Sequence, residues 1–322
     1  MSRTASVLLL VICAWMAPLT AQNGALQLHL TTLIQERLKQ LPEERRLATA
    51  GGSENLSPDL FTLYGRRGFR PIWASESGIR AEADSLLALI RKADRHGLDP
   101  ASYHERALNL LLPQLNSRLH AAPVDPAVLA DLDLLLSDAY LVLGLHLAAG
   151  RFNPHDLDAE WYLHKNEADM VTRLNGAAEA GELLEDLRRL PPQEEEYHHL
   201  LEAYGYYRQL AVEGGWPFIA DGRKLEKGMW DERVMQVRAR LRATADLALE
   251  PAAVEGTYDE ALERAVRRFQ MRHGLEPDGK VGKSTLAEMN VPVGKRIRQL
   301  AVNLERWRWL PRDHGRRYIR VN

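Results

Sequence analysis

The chain has 322 residues, 45% of them hydrophobic and 27% charged, an ordinary globular composition in a length that makes two domains the expectation. Its single cysteine, Cys13, excludes an intramolecular disulfide and an all-cysteine zinc site. The net charge of −2 conceals an asymmetry: residues 233–322 hold 19 Lys and Arg against 11 Asp and Glu, and the remainder holds 23 against 33. A basic C-terminal part suits an anionic polymer or an acidic domain face.

Residues 1–21 read as a signal peptide. Arg3 precedes an apolar run from Val7 to Leu19, and small residues follow it. The run is shorter than the roughly 20 residues that span a bilayer comfortably. Export with cleavage near Ala21 is the expectation, and an uncleaved membrane anchor is the alternative. Lipidation at Cys13 is disfavoured by the bulky Ile12 before it. Cleavage would leave a mature chain without a thiol nucleophile. Export places the protein in the periplasm, in contact with the cell wall, and argues against a nucleic-acid partner.

The pattern that follows is helical almost throughout, so the expected fold class is mainly α. Ala83, Leu86, Leu87, Ile90 and Ala93 recur at helical spacing, and "RHG" closes that helix at Gly97. From Ala127 a long run places Leu132, Leu136, Tyr140, Leu143 and Leu147 on one face and stops at Gly150. A third long helix covers about 195–212, with Leu200, Leu201, Tyr204 and Tyr207 as its expected buried side. The glycine-rich stretch 213–228 reads as an ordered connection and marks the domain boundary. Expected domains are a helical scaffold over 22–228, a three-helix bundle over 229–292, and a linking helix with one strand over 293–322.

In the bundle, Val234, Val237 and Leu241 form the first apolar stripe, and Leu262, Val266 and Phe269 the second. Thr257 and Glu260 have capping-box spacing before the second helix, and Gly274 ends it. Asp278-Gly279 is a turn signal, with Leu275 and Val281 plugging the loop into the core. Leu286 and Met289 point inward from a short last helix. About 60 residues is near the lower limit for an unaided core.

The stretch "AVRRFQMRHGLEPDGKVGKSTLAEMN" resembles the peptidoglycan-binding module of many bacterial wall enzymes. The pairs Phe269-Gln270, Gly274-Leu275, Asp278-Gly279, Val281-Gly282 and Thr285-Leu286 carry that resemblance. Candidate binding residues are Arg267, Arg268, Gln270, Arg272 and Lys283, each read as exposed. Arginine forks suit stem-peptide carboxylates, and amides suit sugar hydroxyls. The competing reading of each is a solvated helix face.

Further segments are similar to the scaffold domain of large L,D-transpeptidases: "RPIW" (70–73), "ADRHGLDPASYH" (93–104), "LAAGRFNP" (147–154), "EAYGYYRQLAVEGGWPFI" (202–219) and the ending from Gln299. The resemblance implies a wall cross-linking enzyme whose catalytic cysteine lies in a Ser-His-Gly-Cys type motif. This sequence holds no such motif, so no catalytic residue is named. "RRYIRVN" resembles the first strand of a catalytic domain that would be encoded downstream, and that domain is the expected protein partner.

Two other readings stay open. One is a non-catalytic wall-binding or assembly protein. The other is a zinc peptidase, which lacks support because there is no HExxH motif; no cofactor or metal is expected. Trp307 and Trp309 serve either as a sugar-stacking platform or as packing residues. Arg306, Arg308, Arg312, Arg316, Arg317 and Arg320 face either the anionic wall or the catalytic domain.

Overall fold

The computed structural model describes residues 25–41, 45–49, 52–75, 78–118, 125–157, 166–248, 254 and 256–312. The apolar run from Val7 to Leu19 and the "RRYIRVN" ending lie outside the described residues. Among those described, no helix is long and apolar enough to cross a membrane. The protein is mainly α-helical, and the described strands form two small antiparallel hairpins. It divides into two compact units, His198–Asn303 and the described residues on either side of it.

The first unit begins with helix α1 over 25–40, which buries Leu30, Ile34 and Leu38 at four-residue spacing. Strands β1 (Arg46–Thr49) and β2 (Gly52–Asn55) pair in register from Arg46 with Asn55 to Thr49 with Gly52. Helix α2 (Pro58–Arg66) starts on a proline, whose missing N–H is no loss in a first turn. Strands β3 (Ala74–Ser75) and β4 (Gly78–Ile79) form the second hairpin. Helix α3 (Glu82–Arg91) is shorter than expected, because a 3-10 turn over Ala93–His96 carries the chain to Gly97. A second 3-10 turn, Pro100–Tyr103, leads into α4 (Glu105–Arg118).

Helix α5 (Pro126–Ala149) is the axis of this unit. It ends at Gly150 as expected, but its burial is not confined to one face. Leu129, Leu132, Leu134, Leu135, Leu136, Leu141 and Leu143 are all buried, so neighbours surround the helix. A helix apolar on all sides has no other stable place than a core. Short helices α6 (Pro154–Leu157), α7 (Met170–Ala180) and α8 (Leu183–Arg189) follow, and α7 is capped by Asp169.

Helix α9 (Glu195–Val212) buries Tyr197, Tyr204 and Leu210, whereas Leu200, Leu201 and Tyr207 are half-buried. The second unit then builds its core on α10 (Arg233–Ala243), α11 (Glu260–Arg272) and α12 (Lys283–Met289). Val234, Val237, Leu241, Leu262, Val266, Phe269, Val281, Leu286 and Met289 meet there, with Ile219 and Leu225 from the preceding connection. Leu225 and Val281 exchange backbone hydrogen bonds of 3.2 and 2.9 Å, which fastens that connection to the bundle. Leu275 is only half-buried. Helix α13 (Val293–Trp309) completes the described chain.

Candidate functional site

The α11 helix starts two residues later than the capping-box spacing suggests. Asp259 is its N-cap and accepts from the Leu262 N–H at 2.8 Å, whereas Thr257 lies in a backbone bridge to Trp230. Asp outcompetes Thr here because its carboxylate also pairs with Arg238 at 2.6 Å. The apolar stripe of α11 then places Arg267, Arg268, Gln270 and Arg272 around one helical end.

Gln270 is not exposed. It is buried, and its amide is fully engaged. Its Nε2 shares two N–H groups among Asp278 Oδ1 at 2.8 Å, the Lys280 carbonyl at 3.0 Å and Thr285 Oγ1 at 3.1 Å. Its Oε1 accepts from the Gly279 N–H at 2.9 Å. One side chain therefore ties α11, the Asp278-Gly279 turn and α12 together, and nothing of its amide is left for a sugar. The apolar neighbours Phe269 and Leu286 gave no sign of this in sequence. The only sign was the motif itself, which sets Gln270 in one short stretch with Asp278, Gly279 and Thr285.

Arg267 braces the same turn. Its Nη1 donates to the Pro277 carbonyl, and its Nη2 meets Glu263 at 3.0 Å. Gly279 has φ +73, and a Cβ there would stand 2.9 Å from Arg267 Nε and from Glu263 Cγ. Only glycine lets the turn approach α11 this closely. Tyr258 donates its hydroxyl to the Gly279 carbonyl at 2.7 Å from below.

Arg268 and Arg272 converge on a different point. Arg268 donates through Nε and Nη2 to the Asp246 carbonyl at 3.1 and 2.6 Å. Arg272 Nη2 meets the Asp246 carboxylate at 2.6 Å and its Nη1 the Tyr207 hydroxyl at 3.4 Å. Lys283 joins neither group. It is exposed at the first turn of α12, with no ion pair among the described residues. Of the five candidates, then, three are exposed or partly exposed and braced, one is buried, and Lys283 alone projects without a bracing contact among the described residues.

Behind these residues lies a buried cation. Arg240 is sandwiched between the Trp216 ring, 3.9 Å from its guanidinium, and Phe269 at 5.3 Å. It donates to the Met289 carbonyl at 2.8 Å and to Thr244 at 3.0 Å. Burial pulls its pKa down to about 10, so it remains a cation at neutral pH. His273 lies tilted against Phe269 with ring centres 4.1 Å apart and meets Glu288 at 2.7 Å. Burial, with Arg272 and Arg296 beside it, pulls the His273 pKa down.

The first unit holds its own polar centres. Arg308, expected to face the wall or another domain, is buried: it donates to the His96 carbonyl at 2.9 Å and pairs with Glu305 at 2.6 Å. Trp309 is buried too, with Nε1 donating to Glu305 at 2.9 Å, which removes it as a stacking platform. Arg312 donates to the Ala148 and Leu190 carbonyls, each at 2.9 Å. It lines a cleft of about 570 Å³ with Asp169, Arg173, Leu190 and Glu194. Arg316, Arg317 and Arg320 lie outside the described residues. Among those described, no group of three or more His, Cys, Asp or Glu residues is placed to hold a metal.

Comparison with protein families agrees with this geometry. Residues 58–203 match the family described as a scaffold domain. Residues 231–289, which contain α10, α11 and α12, match a putative peptidoglycan-binding domain. The two matches, in this order, fit the N-terminal region of L,D-transpeptidases. No curated protein matches the chain. The second match supports a role in binding the cell wall, with peptidoglycan as partner.

Proposed function

We propose that this chain is the peptidoglycan-binding N-terminal part of an L,D-transpeptidase-like enzyme that cross-links the cell wall. The observation that carries the reading is the peptidoglycan-binding match over 231–289, which falls on a bundle with its own core. In this reading a signal peptide over 1–21 exports the chain to the periplasm. A scaffold domain covers 22–228, a wall-binding domain covers 229–292, and α13 leads toward a catalytic domain that supplies the acyl-transfer thiol. Arg267, Arg268, Arg272 and Lys283 offer cations to wall carboxylates from the rim of the bundle.

The test is co-sedimentation of the purified chain with insoluble sacculi. Retention at low salt that weakens as salt rises is the expected result, because exposed ion pairs are screened. A chain that stays in the supernatant at low salt overturns the proposal.

A further inference from the structure

Trp230 is an indole that the fold holds in place and yet leaves in water. It is 59% exposed, although it sits at the edge of a well-packed bundle. Its backbone is clamped on both sides. Asp231 N–H donates to the Gly256 carbonyl at 3.0 Å, Tyr258 N–H to the Met229 carbonyl at 2.8 Å, and Gly228 N–H to the Tyr258 carbonyl at 2.9 Å. Trp230 and Thr257 face each other in the resulting antiparallel bridge. Arg238, itself buried, ties the Thr257 carbonyl at 3.1 Å and Asp259 at 2.6 Å, which anchors the second strand of the clamp to α10.

The ring itself rests on Gly256. That residue has φ +81, and a Cβ there would lie 2.8 Å from Trp230 Nε1 and 3.1 Å from Cε2. A glycine in the left-handed region therefore makes room for the indole to lie against backbone. Exposing so much apolar ring forgoes the stabilisation that burial would give it. The chain on either side of Trp230 is charged. Asp231 follows directly, paired with Arg233 at 2.9 Å and 3.9 Å from Arg223, whose side chain is 69% exposed. Lys227 is half in water, 3.7 Å from both Glu260 and Glu263. One ring in a charged rim is too small an apolar area for a stable protein interface, which needs a contiguous patch of several hundred Å². It matches a pyranose, whose C–H face stacks on an aromatic ring while its hydroxyls and acetamides reach polar groups at the edge.

We infer that Trp230, seated on Gly256, is a sugar-stacking platform through which the bundle grips the glycan strand of the wall. This rests on the peptidoglycan-binding reading and assigns the sugar, not the stem peptide, to this face. It also moves the stacking role from the buried Trp309 to a residue that sequence spacing did not single out.

The full chain is tested by calorimetric titration with an N-acetylglucosamine hexamer and by co-sedimentation with intact sacculi. Trp230→Ala and Trp230→Phe are compared with the wild type, each with its melting temperature. The expected result is hexamer binding by the wild type, a loss of roughly five-fold or more in Trp230→Ala, an intermediate loss in Trp230→Phe, and unchanged melting. Equal hexamer affinity in wild type and Trp230→Ala overturns the inference. A wild type that sediments with sacculi but ignores the hexamer also overturns it and leaves the peptidoglycan reading standing. A wild type that ignores both ligands removes both.

Discussion

The two units differ in which buried charges organise their loops, although Arg308 and Arg312 also reach carbonyls in the first. In the first, buried acids gather backbone N–H groups. Asp133 accepts from the N–H of Ile72, Trp73 and Ala74 at 3.0, 2.7 and 2.6 Å, and also takes the Tyr64 hydroxyl. Asp138 takes the Ser57 N–H at 2.8 Å and its hydroxyl at 2.6 Å. In the second, arginines gather carbonyls: Arg240 that of Met289, Arg268 that of Asp246, Arg238 that of Thr257 and Arg267 that of Pro277. The difference follows from what each core must hold. The scaffold packs irregular segments around α5 and needs acceptors inside a long apolar helix. The bundle is small, and long cationic stems cover apolar surface while their heads reach loop carbonyls. Much of the basic surplus in residues 233–322 is thus structural.

The largest test of this contrast is Asp133. It is fully buried, and burial pushes its carboxyl up while the Tyr64 hydroxyl and three backbone N–H groups pull it back. Removing it orphans those donors in the core. Asp133→Ala is expected to cost about 3–5 kcal/mol in urea denaturation. Asp133→Asn keeps the shape but turns an amide donor toward N–H groups, so it should fall between Ala and wild type. A loss under about 1 kcal/mol for Asp133→Ala would show that the N–H cluster is satisfied in another way.

His104 gives the next effect. It sits between two carboxylates, Asp138 on Nε2 and Glu54 on Nδ1, each at 2.8 Å, and joins the β1–β2 hairpin to α5. Its φ of 57 is a left-handed conformation for a non-glycine residue, held by those two bonds. Burial opposes its charge, but the hydrogen bonds of Asp138 and Glu54 outweigh it and push the pKa from 6.5 up to about 9. Below the unfolded pKa both states carry the proton and the stabilisation is complete. Between about 6.5 and 9 only the folded state keeps it, so stability falls as pH rises and the contribution is lost above 9. The full drop is roughly 3 kcal/mol. His104→Gln should flatten this alkaline slope; an unchanged slope would place the titration elsewhere.

In the bundle, Gln270 is the counterpart. Gln270→Ala strips partners from the Gly279 N–H, the Lys280 carbonyl and Thr285, at an expected cost of about 2 kcal/mol. Gln270→Glu should be harmful too, because it sets a carboxylate against Asp278 and the Lys280 carbonyl. Thermal unfolding reads both, and a neutral Gln270→Ala would return this side chain to the surface role that sequence gave it.

What was legible in the sequence follows the same division. Periodicity marked α3, α5, α11 and α12, because apolar spacing is a local property. It misread α5 as one-faced, since burial on every side depends on neighbours that no window contains. The quoted motif segments proved to be meeting points within the first unit. "RHG" supplies the His96 carbonyl to Arg308, and "GRF" supplies the Arg151 and Phe152 N–H groups to Glu305. "RPIW" presents its backbone to Asp133. Such partners lie some 60 to 210 residues apart along the chain, beyond any spacing rule. Trp230 escaped for the reverse reason. An exposed ring shows only once the fold has left it uncovered, and Gly256, which seats it, stands in an otherwise featureless stretch.

The smallest expected effect separates wall contact from bracing. Lys283 projects from α12 into water, while Arg268, a neighbour in the same candidate set, gives two N–H groups to the Asp246 carbonyl. If cations on this rim touch the wall, the two must respond differently. Lys283→Ala should leave melting unchanged and weaken sacculus retention by a factor of about two to five at low salt, the worth of one exposed ion pair. The loss should shrink as salt is added, since screening acts on exposed charges first. Arg268→Ala should lower the melting temperature by a few degrees, because the Asp246 carbonyl loses both donors, and change retention only as far as the bundle loosens. Equal melting losses in both variants would mean that Lys283 is also a brace, and the rim would then present no cation devoted to the wall.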